Sequence, residues 1–101
     1  MKLSTSLLTK DFSEKEIALM ELRTIPGVGK SIAYDLYNIG IRKIGDLRRK
    51  NPEKLYKLSN QQAGVIQDRC LLYVFRCAVY FAETPKPEKE KLNWWWWKEH
   101  C

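Results

Sequence analysis

One glycine-containing bend between two apolar helical stretches constrains the fold of this chain more than any other feature. The bend reads Ile25-Pro26-Gly27-Val28-Gly29. Leu22 precedes it, and Ala33 and Leu36 follow it, all at helical spacing. Proline removes a backbone donor and glycine permits left-handed backbone angles, so the bend ends one helix and starts another. We therefore predict a close-packed helical hairpin, because the small Ala33 leaves room between the two helices.

Hydrophobic periodicity and capping residues predict an all-α fold of five helices, and no useful length of chain alternates as a strand does. The first helix begins after Ser13, which is placed to form a capping box with Glu16. The predicted helices cover residues 14–23, 30–38, 44–50, 52–58 and 65–82. Residues 59–64 are a predicted loop. The last helix is apolar nearly all round, so the others are expected to surround it.

The chain divides into three predicted parts. With 101 residues it has room for one modest core, which we place in residues 11–83. Residues 1–10 are a predicted flexible arm, and residues 84–101 are a Pro-rich, charged linker followed by four consecutive tryptophans, Trp94 to Trp97. At least two of these indoles are expected to fold back on the core, because four exposed ones would promote aggregation. Alternatively, one or two stack on an unpaired base or anchor a partner protein.

Positive charge is concentrated in one part of the chain, which we call the basic segment, Arg42 to Lys57. It holds most of the net charge of +6. Its cations are Arg42, Lys43, Arg48, Arg49, Lys50, Lys54 and Lys57, against the two acids Asp46 and Glu53. A polyanionic partner and an ordinary solvated face both fit this pattern. Three cysteines and the lack of a membrane-spanning apolar run predict a cytoplasmic protein with reduced thiols, in which Cys70 and Cys77 are buried. We also predict that the protein is a monomer.

The bend itself is a predicted anion site. A helix that starts at glycine leaves unpaired N–H groups at its positive end, here near Gly27, Val28 and Gly29, and Lys30 adds a full charge. We expect the basic segment to lie beside these donors. A plain turn between helices is the alternative. Gly29-Lys30-Ser31 is not a nucleotide-binding P-loop, because Thr24 occupies the required glycine position and a helix precedes the bend.

The bend resembles the helix-hairpin-helix motif of DNA polymerases, repair nucleases, ligases and glycosylases. That resemblance implies sequence-independent binding of duplex DNA through backbone amides on phosphates, in many members assisted by a monovalent cation in the hairpin. Residues 40–47 resemble the second, degenerate hairpin of tandem helix-hairpin-helix (SAM-like) domains. Related glycosylases carry a catalytic lysine where this chain has Ser31, so base excision of that type is not expected.

Residues 20–98 as a whole resemble a small family of prokaryotic proteins labelled pathogenicity locus or mitomycin-resistance proteins. The hairpin region Leu22–Leu58, the stretch from Asp68 to Ala82 and the ending Trp97-Lys98 carry this resemblance. It implies an all-α domain and a DNA association linked to tolerance of DNA damage. It implies no established activity.

We therefore predict a non-enzymatic protein that binds DNA without sequence specificity, in damage tolerance or repair. The acids are scattered, and His100 with Cys101 offers only two metal ligands, so no metal or other cofactor is predicted beyond a monovalent cation in the hairpin. The predicted DNA-binding residues are Gly27, Val28, Gly29, Lys30, Arg42, Lys43, Arg48 and Arg49. A protein–protein adaptor and an uncharacterised repair enzyme are the alternatives.

Overall fold

The computed structural model describes residues 12–98. All regular secondary structure within that range is helical, and it contains no strand. Its α-helices are α1 (Glu14–Leu22), α2 (Lys30–Asn38), α3 (Pro52–Ala63) and α4 (Cys70–Glu83), and its 3₁₀ helices are η1 (Ile44–Leu47), η2 (Lys89–Leu92) and η3 (Trp94–Lys98). The predicted all-α class is confirmed. The predicted arm at residues 1–10 and the pair His100 and Cys101 lie outside the described residues.

The first two helices follow local capping signals. The Glu16 amide donates to the Ser13 hydroxyl at 3.1 Å, and the Ser13 amide donates to the Glu16 carboxylate at 2.9 Å. This capping box fixes the start of α1. Gly29, in extended backbone, is the N-cap of α2. The two helices contact each other as the predicted hairpin.

The predicted third helix at residues 44–50 is wrong, because only the single 3₁₀ turn of η1 forms there. Arg48 is extended, and Arg49 has a left-handed φ of 65° that no helix tolerates. Asn51 is also extended, as a residue before proline must be. The Arg49 amide donates to the Glu83 carboxylate at 2.6 Å, which ties this segment to α4. The segment is therefore a connector between η1 and α3. The described residues form four α-helices and not the predicted five.

The second helical hairpin is α3–α4 and not residues 40–47. α3 continues past the predicted end at residue 58 and stops at Gly64, whose φ of 77° ends the helix. The Gln67 amide donates to the Asn60 side chain at 2.9 Å, and the Gln67 carbonyl accepts from the Tyr56 hydroxyl. These bonds hold residues 65–69 as a tight bend, so α4 begins at Cys70 and not at residue 65 as predicted.

The core is built around α4, as its apolar composition predicts. Leu72, Phe75 and Ala78 of this helix are almost completely buried, together with Leu22 of α1 and Leu36 of α2. Cys77 is also buried, and burial raises the pKa of its thiol to about 11. Cys70 is exposed at the start of α4, contrary to the prediction that both thiols are buried.

The C-terminal tryptophans lie across α4. Trp97 is only 8% exposed, its ring centroid lies 5.3 Å from that of Tyr80, and its indole N–H donates to the Lys91 carbonyl at 2.8 Å. Arg76 of α4 donates to the Trp97 carbonyl at 2.8 Å and to the Glu53 carboxylate at 2.8 Å. One guanidinium thus joins α3, α4 and the tail.

The Arg76–Glu53 ion pair is expected to make the stability of the protein depend on pH in the acidic range. The hydrogen bond from Arg76 lowers the pKa of Glu53 below its ordinary value of 4.5. A lowered folded-state pKa stabilises the protein above pH 4.5, and this contribution is lost as the pH falls through the lowered value. We expect Glu53→Gln to cost about 1 kcal/mol or less at pH 7, because the carboxylate is half exposed, and to cost almost nothing at pH 2. Urea denaturation at both pH values measures this, with Glu90→Gln as the control, and an equal cost at both would contradict it.

Candidate nucleic-acid interface

The bend between α1 and α2 is a tight β-turn. Pro26 and Gly27 are its central residues, Gly27 has a φ of 84°, and the Val28 amide donates to the Ile25 carbonyl at 3.0 Å. These are the features of a type II turn, in which proline is favoured first and glycine second. The side chains of Ile25 and Val28 are buried, so the turn is anchored to the core from both sides.

This turn corrects one predicted site residue. The Val28 amide is already bonded within the turn, and its side chain is 5% exposed, so Val28 is not an open donor. The first hydrogen bond of α2 runs from the Ala33 amide to the Gly29 carbonyl at 2.9 Å. The amides of Gly29, Lys30 and Ser31 therefore have no acceptor within the described part of the chain. These three residues are exposed, and their N–H groups stand at the positive end of α2.

Cations flank the bend. Lys30 and Arg23 line a groove of about 260 Å³ beside α1 and α2, together with Tyr34. Lys15, at the other end of α1, lies 2.5 Å from the Tyr34 hydroxyl and 5.4 Å from the centre of the Tyr37 ring, so it faces the later turns of α2 and not the bend. Sequence reasoning missed Arg23. Arg23 could have been found from its position two residues before the bend.

The cations of the basic segment are all exposed. Its seven cations make no ion pair within residues 12–98, where the two ion pairs are Arg76–Glu53 and Lys91–Glu88. The Arg42 guanidinium lies 3.7 Å from the centre of the Tyr37 ring, a cation–π contact that orients it without reducing its charge. Lys43, Arg48 and Arg49 are exposed beside it in the chain. Their charge is available to a polyanion.

The basic segment extends from the first hairpin's bend end to the far end of α2. Its Ile44 amide donates at 2.8 Å to the carboxylate of Glu21, which is in the last turn of α1, four residues before the bend begins.

The later part of the basic segment lies away from the bend. Arg49, Lys50 and Lys54 line a groove with Ile39 and Gly40, which follow the C-terminal end of α2. The bend stands at its N-terminal end. α2 has nine residues, so the two regions are separated by roughly 13 Å along its axis. A ligand that contacts both must span that length.

Two features bear on other classes of function. Among residues 12–98, no three His, Cys, Asp or Glu side chains come together in a group that could hold a metal ion. None of the helices in the same range is long and apolar enough to cross a membrane.

Comparison with known proteins gives a family match and one curated relative. The family described as pathogenicity locus matches residues 15–101. A protein named mitomycin resistance protein McrB, from Streptomyces lavendulae, is 38% identical over 63 residues, which are 62% of this chain and 60% of that protein. The matched region thus covers less than two thirds of the relative's own length. No solved structure matches.

Proposed function

The chain belongs to the pathogenicity locus family, and from the surface described above we propose that it binds the phosphate backbone of DNA without sequence specificity. The observation that carries this proposal is the set of amides at Gly29, Lys30 and Ser31, which have no acceptor among residues 12–98. Cations flank them, and the cations of the basic segment form no ion pair within the same range. Backbone N–H groups at a helix start bind phosphate oxygens and read no base.

The separation of roughly 13 Å between the bend and the groove lined by Arg49, Lys50 and Lys54 fits a duplex better than a small anion. A duplex carries one negative charge per roughly 1.7 Å of its axis, so a protein surface of this length faces many phosphates. In the proposed complex, the bend holds one phosphate through its amides, and Arg42, Lys43, Arg48 and Arg49 face phosphates further along. The proposal also includes the tandem helix-hairpin-helix affiliation and a role in DNA damage tolerance or repair, both of which rest on resemblance.

A salt series tests the proposal directly. Fluorescence anisotropy with a labelled duplex of random sequence is measured between 50 mM and 300 mM salt. Each neutralised phosphate contributes about −0.9 to the slope of log affinity against log salt concentration, and we expect a slope of roughly −4 to −5. Absence of binding at 50 mM salt, or a flat response, contradicts the proposal.

Substitution at Gly29 separates a functional bend from a merely structural one. A Cβ atom at Gly29 meets nothing within 4 Å, and its φ of −94° suits any residue, so Gly29→Val is compatible with the fold. Its branched side chain would stand between the free amides and a phosphate. We expect Gly29→Val and the charge reversal Lys30→Glu each to weaken duplex binding by about tenfold, a loss of about 1.4 kcal/mol, similar to one charged hydrogen bond.

The matched control is Asn38→Val, which places the same side chain on an exposed position at the other end of α2. It is expected to leave the affinity within about twofold of the native protein. Equal affinities of all four proteins would show that the bend only connects the helices. Thermal unfolding of each variant confirms that it remains folded.

One observation favours an adaptor as the second candidate function. At the bend of the α3–α4 hairpin, Ile66 is 87% exposed and Val65 is 62% exposed. Apolar side chains at the tip of a rigid bend are typical anchors for a partner protein. In the salt series, a protein that is only an adaptor gives the flat response described above.

A further inference from the structure

A cavity of about 350 Å³ lies between the bends of the two hairpins. It is built from three separate parts of the chain, the first hairpin, the second hairpin and the tail. Its lining includes Gly27, Ile32, Asp35, Asp68, Leu71 and Trp94. A cavity of this size, mostly apolar with a few polar groups, has the character of a small-ligand pocket.

The cavity contains a fixed aromatic ring. A Cβ atom on Gly27 would lie 3.3 Å from Cδ1 of Trp94, so glycine at this position lets the indole lie directly against the bend. Trp95 contacts the Trp94 ring edge-on, with ring centroids 5.6 Å apart, which holds its orientation. Ile32 and Leu71 add aliphatic surface. A planar heteroaromatic ring is the ligand shape that such a lining binds best.

The charged groups of the cavity are two carboxylates, Asp35 and Asp68, which accept hydrogen bonds. The side-chain amide of Gln67, also in the lining, already donates to α3. Asp35 makes no hydrogen bond or ion pair within the described chain, and its partial burial raises the pKa of its carboxyl. Asp68 accepts the Cys70 amide at 2.8 Å through one oxygen, which fixes this carboxylate at the start of α4. Carboxylates repel phosphate but accept hydrogen bonds from the amino groups of adenine, cytosine and guanine. Thymine has no amino group, and its one base donor, N3–H, stands between two carbonyl oxygens that a carboxylate repels.

We propose that this cavity receives the base of an unpaired nucleotide that carries an amino group, while the free amides of the neighbouring bend hold its phosphate. Gly27, in the cavity wall, is two Cα steps from Gly29, a distance of at most about 7.6 Å. Base and phosphate of one nucleotide thus reach their sites together. This inference rests on the proposed DNA binding and adds to it a preference for DNA with unpaired bases.

The test compares labelled duplexes that differ in one position, with an unpaired guanine, cytosine or thymine, or with no unpaired base. Anisotropy at constant salt measures the affinities. The expected result is that the guanine and cytosine bulges bind about 10- to 100-fold more tightly than the paired duplex, as stacking of a base on an aromatic ring gives. They are also expected to bind more tightly than the thymine bulge. Equal affinities for the four duplexes overturn the inference and leave backbone binding intact, whereas no binding to any of them defeats both.

Variants assign the preference to the cavity. Asp35→Asn replaces an acceptor by a group that also donates, so the preference for guanine and cytosine over thymine is expected to disappear. Glu90→Gln makes the same charge change in the linker and is expected to keep the preference. Trp94→Leu is expected to remove the advantage of every bulge and to keep the affinity for paired duplex. If Asp35→Asn and Trp94→Leu, both still folded, keep the native preferences, the cavity is not the site.

A free nucleotide is the other source of the same chemistry. Guanosine monophosphate is titrated against the native protein, with the chemical shifts of the Ile32 and Leu71 methyl groups as the readout. The inference is supported if the shifts saturate only at nucleotide concentrations tenfold or more above the dissociation constant for bulged DNA. Saturation at lower concentrations than bulged DNA requires would assign the cavity to a free nucleotide and overturn it.

Discussion

Replacement of Trp97 by alanine is expected to lower the free energy of unfolding by about 3–5 kcal/mol, the cost typical of removing a buried large aromatic side chain. Trp97 is 8% exposed and stacks obliquely against Tyr80. The substitution also leaves the Lys91 carbonyl without its indole donor. For a chain of this size that loss is a large fraction of the total stability, so the variant is expected to unfold at a much lower urea concentration.

The neighbouring tryptophan provides the control. Trp95 is 59% exposed, and Trp95→Ala is expected to cost less than about 1 kcal/mol, as most substitutions at exposed positions do. Urea denaturation followed by far-ultraviolet circular dichroism measures both variants. Equal losses for the two would mean that Trp97 does not cover α4 in solution.

Neutralisation of the basic segment is expected to have the largest effect on DNA binding. Arg48 and Lys54 are exposed and make no ion pair among the described residues, so Arg48→Gln with Lys54→Gln removes charge without a buried partner. If both side chains face phosphates, the salt slope changes by about 1.8. If the native protein and the double variant bind equally at 1 M salt, this slope change corresponds to about 60-fold weaker binding by the variant at 0.1 M salt.

The same charge change elsewhere separates local contacts from net charge. Lys86→Gln with Lys89→Gln also removes two positive charges, from the exposed linker. It is expected to alter the slope by less than about 0.5, since screening reduces interactions beyond roughly 10 Å at 0.1 M salt. Equal slope changes for the two double variants would remove the basic segment from the proposed interface.

The first hairpin could be predicted from the sequence because its signals are local. Ser13 and Glu16 define the start of α1, and the Pro-Gly turn separates it from α2. The same local view failed at residues 59–64. The polar run there resembles a loop, yet Gln61, Gln62 and Ala63 are good helix formers, and the helix ends only at the left-handed Gly64.

The candidate site was predictable in its residue types and not in its arrangement. Exposed cations and a glycine bend are visible in the sequence, and all but Val28 of the predicted residues remain candidates. Whether an amide is free depends on the geometry of the turn, which binds the Val28 N–H internally. The contact of Trp94 with Gly27 joins residues far apart in the chain, and no local pattern could indicate it.

The connector between η1 and α3 also contains a charged residue with an unfavourable backbone angle. Arg49 adopts a φ of 65°, which is unfavourable by roughly 1–2 kcal/mol for a residue with a Cβ atom and is open to glycine without that penalty. Its amide is held by Glu83, so the backbone there is fixed by α4. Stability alone would favour glycine at this point of the fold. At position 49, therefore, a glycine would raise the thermal stability and would remove one positive charge from the surface.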